Sequence, residues 1–238
     1  MILITGASEG IGLACARRLL ECTTLSVLIT GRDQARLCRV RQRLPDASTG
    51  RLRTMVCDQS DRAAVVGLCR FLADRGNSLD GAILNVGVNP MYSEGPRRVH
   101  SLSPGTIDAT ISTNCTHTTL LTAVILDRLR RQGRGGLIWI GSQAPRVGMP
   151  GAGIYCATKS FLSGLARVAH NEYAARGVRV HLCHPGIVRT PRTVSVVDRF
   201  AARHGITVSE APAVAQQIIA LLINPPPATG PEGVEVDL

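Results

Sequence analysis

Tyr155 and Lys159 stand four residues apart in the run Tyr155-Cys156-Ala157-Thr158-Lys159. On a helix that spacing puts the phenol and the ammonium on one face, able to enter the same pocket. The pairing suggests proton-transfer chemistry. Lys159 is also the single lysine among 27 basic residues, all the others being arginine. A lysine kept against such drift suits a place that needs a compact, three-donor ammonium rather than a planar guanidinium. The bland alternative is a solvated surface lysine.

A second run with chemical meaning is Thr5-Gly6-Ala7-Ser8-Glu9-Gly10-Ile11-Gly12, which follows an apolar strand and opens an amphipathic stretch. Glycines let the backbone turn tightly and approach a pyrophosphate, whose charge meets the free N–H groups at a helix start. In that placement the run reads as a dinucleotide site; alone it would read as a tight turn. Thr30-Gly31-Arg32-Asp33 closes the second strand, where the adenine ribose of a dinucleotide would lie. Gly31 and Arg32 leave room and charge for a 2′-phosphate and favour NADP(H), whereas an inward Asp33 would serve NAD(H). Asp58 could accept from the adenine amino group, or cap the next helix.

These residues need a scaffold, and the hydrophobic pattern supplies one. Strands are expected at Ile2–Thr5, Leu25–Thr30, Leu52–Cys57, Gly81–Asn85, Leu137–Gly141, Val178–Cys183 and Val234–Val236. Helices are expected at about 11–22, 33–44, 60–75, 105–131, 155–176 and 209–223. Such alternation predicts βαβ units and a Rossmann-type, doubly wound, seven-stranded parallel sheet flanked by helices, an α/β fold. With 238 residues, a single domain over 1–238 suffices, with a substrate loop at about 187–210. Asn224-Pro225-Pro226-Pro227 reads as a stiff connector to the last strand.

Composition narrows the function classes. Aromatics make up 3% of the chain, and the arginines behind the net charge of +10 are scattered, so no stacking platform for nucleic acid is expected. The eight cysteines form no CxxC pair and no metal-ligand spacing, and a chain of this size needs no disulfide framework, so reduced thiols in a cytoplasm are expected. His181 and His184 would point to opposite faces of a strand and read as structural. No apolar run reaches membrane-spanning length, and no basic leader precedes the first strand.

The glycine run followed by Tyr-x-x-x-Lys resembles the short-chain dehydrogenase/reductase family over essentially the whole chain. Further landmarks fall in order: Asn85-Val86-Gly87, Asn114, Ser142, Pro185-Gly186 and Thr190. The resemblance implies a ketoreductase-like, NAD(P)-dependent oxidoreductase that interconverts a ketone or aldehyde and an alcohol by hydride transfer. It implies Tyr155 as acid/base, Lys159 tuning it and holding the nicotinamide ribose, Ser142 bonding the substrate oxygen, and Asn114 bonding Lys159 through a water. Without Tyr155 thirteen residues on, Ser142 would read as a turn serine. It also implies cofactor contacts from Gly6, Ser8, Glu9, Gly10, Ile11, Gly12, Asn85 and Gly87, and from Pro185, Gly186, Ile187 and Thr190, with no metal.

A unit charge about 4 Å from a phenol of pKa ~10, at an effective dielectric of ~20, would favour phenolate by ~4 kcal/mol, roughly three pKa units. That is the size of lowering a phenol needs to exchange protons at neutral pH, while burial pushes the other way. Leu84 and Val86 depart from the common Asn and Ala of the family, and no glycine pair follows Val236. Glu9 stands where many NADP enzymes are basic, which leaves phosphate recognition to Arg32. Arg146, Val147, Met149, Arg189 and Arg192 should border the substrate, so a hydrophobic or an anionic carbonyl compound would fit. A carrier-bound acyl group is one family option, its acidic carrier received by Arg128, Arg130 and Arg131, although cations at a helix C-terminus explain that run too. A homodimer or homotetramer is expected. Other readings are an NAD-dependent alcohol dehydrogenase and a catalytically silent dinucleotide sensor.

Overall fold

Short runs of branched aliphatic residues build the sheet: β1 (Ile2–Ile4), β2 (Val27–Gly31), β3 (Leu52–Val56), β4 (Gly81–Leu84), β5 (Gly135–Ile140) and β6 (Val178–His184). Most of these strands are buried along their length, as parallel strands covered by helices must be. The computed structural model describes residues 1–45, 50–74, 76–194, 197–198, 201–202, 207–223 and 234–238. Two further three-residue strands, β7 (Ile187–Arg189) and β8 (Val208–Glu210), pair with each other apart from the main sheet, and β9 (Glu235–Asp237) completes it. The order is β3-β2-β1-β4-β5-β6-β9, all parallel, so chain direction across the sheet reverses between β1 and β4. In such sheets a crevice opens at the carboxyl ends of the strands at that reversal. The expected connector at 224–227 lies outside the described residues.

Helices cover both faces. On one face α1 (Gly10–Cys22), α2 (Gln34–Arg43) and α9 (Ala211–Ile223) bury Leu19, Leu37 and Ile218 against Ile4 and Ile29. On the other, α3 (Arg62–Ala73), α6 (Thr118–Gln132) and α8 (Gly153–Tyr173) bury Leu68, Ile125 and Leu162 around Trp139. Trp139 donates its indole N–H to Thr122 at 3.1 Å, so the one tryptophan is buried without an orphaned donor. Two short helices, α4 (Met91–Glu94) and α7 (Ala144–Val147), lie on the loops above the crevice.

The expected helix at 105–131 is present with a defect. α5 (Pro104–Ile111) runs through a π-type segment, Ser112–His117, into α6. A widened turn frees a carbonyl, here that of Thr113. It accepts from Gln59 Nε2 and from Thr118 Oγ1, each at 3.2 Å. The defect is thus held by a side chain from the loop after β3, and it carries the buried Asn114.

All eight cysteines are free. Burial pushes the Cys183 thiol up to about 12 and raises that of Cys15 further, while Cys22 and Cys38 are exposed. Titration of the native protein with an aromatic disulfide near neutral pH should label Cys22 and Cys38 first and spare Cys15 and Cys183 until denaturant is added. Peptide mapping of the labelled protein checks the order. Among the described residues, no helix is long and apolar enough to cross a membrane.

Candidate active site

The glycine turn is pinned from across the reversal point. Asn85, just past β4, donates its side-chain amide to the carbonyls of Thr5 and Gly6, both at 3.1 Å, while its backbone N–H reaches Thr5 Oγ1 at 3.0 Å. Gly6 and Gly10 hold φ of +63° and +58°, which side chains rarely adopt. At Gly12 a Cβ would lie 2.8 Å from the Gly6 carbonyl oxygen and 2.8 Å from the Asn85 amide. Ser8 packs its Cβ toward Gly31, and Ile11 packs on the core. Glu9, at the N-cap of α1, caps no backbone N–H with its side chain, and no acid occupies the first turn. The donors at the start of α1 therefore remain open to an anion, and the tight glycine cradle fits a dinucleotide pyrophosphate.

At the far end of this groove Arg32 is exposed, and among the described residues no carboxylate lies within ion-pair distance of it. Asp33 does not turn inward. Its carboxylate caps α2 by accepting from the Arg36 N–H at 2.9 Å, and that bond with nearby arginines holds it below the usual range. Asp58 is not the cap of α3; Asp61 is, accepting from Ala63 at 2.8 Å. Burial would raise the Asp58 carboxyl, but bonds from Ser60 and the charge of Arg32 outweigh it and lower it. Glu9 is held by Arg36 at 2.9 Å, so its charge near the groove is compensated.

Four of the expected site residues meet beyond β5. Tyr155, on the first turn of α8, stands close enough to the side chain of Ser142, which follows β5, for that side chain to lower its phenol. Ser142 Oγ accepts from the Ala144 N–H at 3.1 Å. Lys159 is buried to 3% exposure, donates to the Ile140 carbonyl at 2.6 Å, and lies 5.7 Å from the centre of the Tyr155 ring. The surface-lysine alternative is thereby excluded. Asn114 accepts from the Val88 N–H at 2.8 Å and donates to the Val88 carbonyl at 2.9 Å and to Thr158 Oγ1 at 3.0 Å. Thr158 in turn donates to the Tyr155 carbonyl at 2.8 Å. Asn114 thus ties the loop after β4 to the start of α8, and it makes no direct bond to Lys159. Between them sits Gly87, where a Cβ would lie 3.1 Å from Nζ.

The phenol titrates in the opposite direction to that expected from spacing. Burial pushes Tyr155 up to about 12, against the lowering by Ser142, and the same effect brings Lys159 down to about 8. The ammonium is directed at the Ile140 carbonyl rather than at the phenolic oxygen, so desolvation wins over Coulomb attraction.

Past β6, Pro185 and Gly186 lead into β7, which begins at Ile187, and Gly186 donates to the Leu238 carbonyl at 3.4 Å. Thr190 faces the glycine turn, 3.2 Å from where a Gly10 Cβ would be. Of the arginines expected to border a substrate, two are neutralised: Arg146 by Asp237 at 2.6 Å, and Arg189 by Asp198 and Glu210. Arg192 lies 3.8 Å from Glu9 and donates to the Gly87 carbonyl at 3.1 Å. It joins the glycine turn to the loop after β4, a role the sequence did not disclose. Arg128 also has other work, donating to the carbonyls of Asp74 and Asn77 at 2.9 and 2.6 Å, and Arg130 and Arg131 pair with Asp127. That run is bound up in its own helix and the adjoining loop, as the helix-terminus reading has it.

Known proteins resemble this chain in sequence and in fold. The sequence model of the short chain dehydrogenases matches residues 1–199. Levodione reductase of Leifsonia aquatica is 29% identical over 239 residues, covering 93% of this chain and 86% of that one. A putative ketoacyl reductase of the granaticin polyketide synthase of Streptomyces violaceoruber is 31% identical, covering 84% and 71%. Among solved structures, a short chain dehydrogenase of Burkholderia cenocepacia in complex with NADP superposes with a TM-score of 0.84 at 25% identity, covering 100% of this chain and 95% of that one.

Proposed function

The chain belongs to the short-chain dehydrogenase/reductase family of oxidoreductases, and from that premise we propose that it is an NADP(H)-dependent carbonyl reductase, or alcohol dehydrogenase in reverse, with Tyr155 as its acid/base. The observation that carries the reading is a buried Lys159 whose Nζ lies 5.7 Å from the centre of the Tyr155 ring, with Ser142 close enough to lower the phenol. A nicotinamide dinucleotide in the glycine cradle would supply or take up the hydride. Gly6, Ser8, Glu9, Gly10, Ile11 and Gly12 would receive its pyrophosphate, Asn85 and Gly87 its middle, and Pro185, Gly186, Ile187 and Thr190 its nicotinamide end.

Ser142 then holds the substrate oxygen, placing it within reach of the phenol. Tyr155 gives that oxygen a proton during reduction, and a phenol raised to about 12 is fully protonated at neutral pH. Lys159 keeps a positive charge beside the pair and has donors to spare for a ribose. Asn114 fixes the two segments that carry Gly87 and Tyr155. In the oxidative direction the phenol must first lose its proton, which favours reduction at neutral pH.

The cofactor preference rests on Arg32, free of ion pairs among the described residues, and on Asp33, committed to its cap. Asp58 would meet the adenine. Replacing Arg32 with Ala should lower kcat/KM for NADPH by about 10- to 100-fold, the worth of one charge-assisted contact, and leave NADH turnover nearly unchanged. Equal losses with both cofactors would remove Arg32 from this role. We also read the chain as a homodimer or homotetramer, with exposed Ile111, Phe161 and Val168 on α5 and α8 offering an apolar face. The experiment that tests the whole reading is NADPH consumption with a panel of ketones and aldehydes, followed by absorbance.

A further inference from the structure

Behind Ser142, on the side away from Tyr155's helix start, lies a histidine that the proposed relay does not use. His184, the last residue of β6, is 2% exposed. Its Nδ1 lies 3.2 Å from the Ser142 N–H nitrogen and 2.9 Å from the Ser142 carbonyl oxygen. Its Nε2 lies 2.8 Å from Glu235 on β9. The ring is pressed against the end of β5, where a Cβ on Gly141 would lie 2.7 Å from Nδ1, so that glycine makes room for it.

One ring nitrogen thus faces both a donor and an acceptor of the same residue, and it can serve only one at a time. The Glu235 carboxylate demands a proton on Nε2. With that proton in place, neutral His184 accepts from the Ser142 N–H through Nδ1. The imidazolium, carrying a second proton on Nδ1, donates to the Ser142 carbonyl instead.

The charged and titratable groups around the ring come from every packed element. They are Glu235 and, opposite His184 in register, Asp237 on β9; Arg146 on α7; Arg167 on α8; and Cys183 beside it on β6. Tyr155 is reached through Ser142. Arg167 meets Glu235 at 2.8 Å, and Arg146 meets it at 3.5 Å. Burial would raise the Glu235 carboxyl, but its bond to His184 and the charge of Arg167 hold it below its usual range. It stays a carboxylate through neutral pH, which keeps the tautomer fixed.

We propose that His184 is a positioning residue for Ser142: anchored by Glu235, its Nδ1 holds the Ser142 backbone, and so sets where the Ser142 hydroxyl stands relative to Tyr155. The inference rests on the reading of Ser142 as the partner of the reacting oxygen.

Two substitutions separate the ring's two ends. His184→Asn places an amide near the Nδ1 position and gives up Glu235, whereas His184→Gln reaches toward Glu235 and gives up Ser142. Nitrogen-15 NMR of the full chain without substrate should show the Ser142 amide displaced in His184→Gln, which gives up Ser142, and near its wild-type position in His184→Asn. In turnover assays, His184→Gln should lose about tenfold in kcat with KM for cofactor and substrate held within about twofold, and His184→Asn about threefold or less.

A Ser142 amide unmoved in His184→Gln, or displaced equally in both variants, would overturn the proposal. Equal kcat losses in the two variants, or losses confined to KM, would do the same. The NMR arm needs no turnover, so a wild type that reduces no carbonyl counts against the oxidoreductase reading while the amide positions still decide the positioning claim.

Discussion

Tyr155→Phe leaves a folded protein that binds NADPH about as well as the wild type and turns over carbonyl substrate at least 100-fold, and up to about 10,000-fold, more slowly. The ring and its packing stay, and only the phenolic oxygen near Ser142 is removed. Cofactor fluorescence titration and steady-state rates read the two effects separately. Undiminished turnover would end the assignment of Tyr155 as the acid.

The wild type supplies a second check on the same residue. Its phenol is raised to about 12, so the acid form needed for reduction persists throughout the neutral range, and reductive kcat should be level from about pH 6 to 7. The phenolate needed for oxidation is scarce there and grows tenfold per pH unit, so oxidative kcat should climb with pH. A reductive rate that falls between pH 6 and 7, below the titration of Lys159, would place the phenol's titration far lower than the fold implies.

Lys159→Arg keeps the charge and loses the geometry. Nζ fits against the Ile140 carbonyl and the bare Cα of Gly87, with no space for a planar guanidinium. Overpacking of this sort costs about 1–3 kcal/mol, which for a chain of this size lowers Tm by roughly 2–4 °C per kcal/mol. A displacement of about 1 Å in the relay costs on the order of 100-fold in rate, so turnover should fall at least that far, with weaker cofactor binding. Because Lys159 is brought down to about 8 by burial, the wild type should also lose reductive rate above that pH. Near-normal turnover in the variant would mean that the solitude of this lysine carries no function.

Local patterns made much of this legible. The seven main strands, the glycine turn and the shared face of Tyr155 and Lys159 each follow from residues close together in the chain. What escaped depends on partners far away. The π-type segment around Asn114 is stabilised by Gln59, and nothing near Asn114 announces it. β7 and β8 are three residues each, too short to leave a period. The direction of the Tyr155 shift was misjudged because a spacing of four brings charge near a phenol, whereas its desolvation is set by the loops that cover it. His184 read as a structural histidine because Glu235, its partner, lies at the other end of the chain's last crossover.

The strand order also has a consequence for biosynthesis. β1, made first, ends at the centre of the sheet, and its turn is not fastened until Asn85 has left the ribosome. β9 comes after every other strand and covers the open rim of β6 through Leu182, Cys183 and His184. A nascent chain halted before β9 would therefore present a buried-type apolar edge with unpaired amides, the surface that chaperones recognise and that neighbouring chains adhere to.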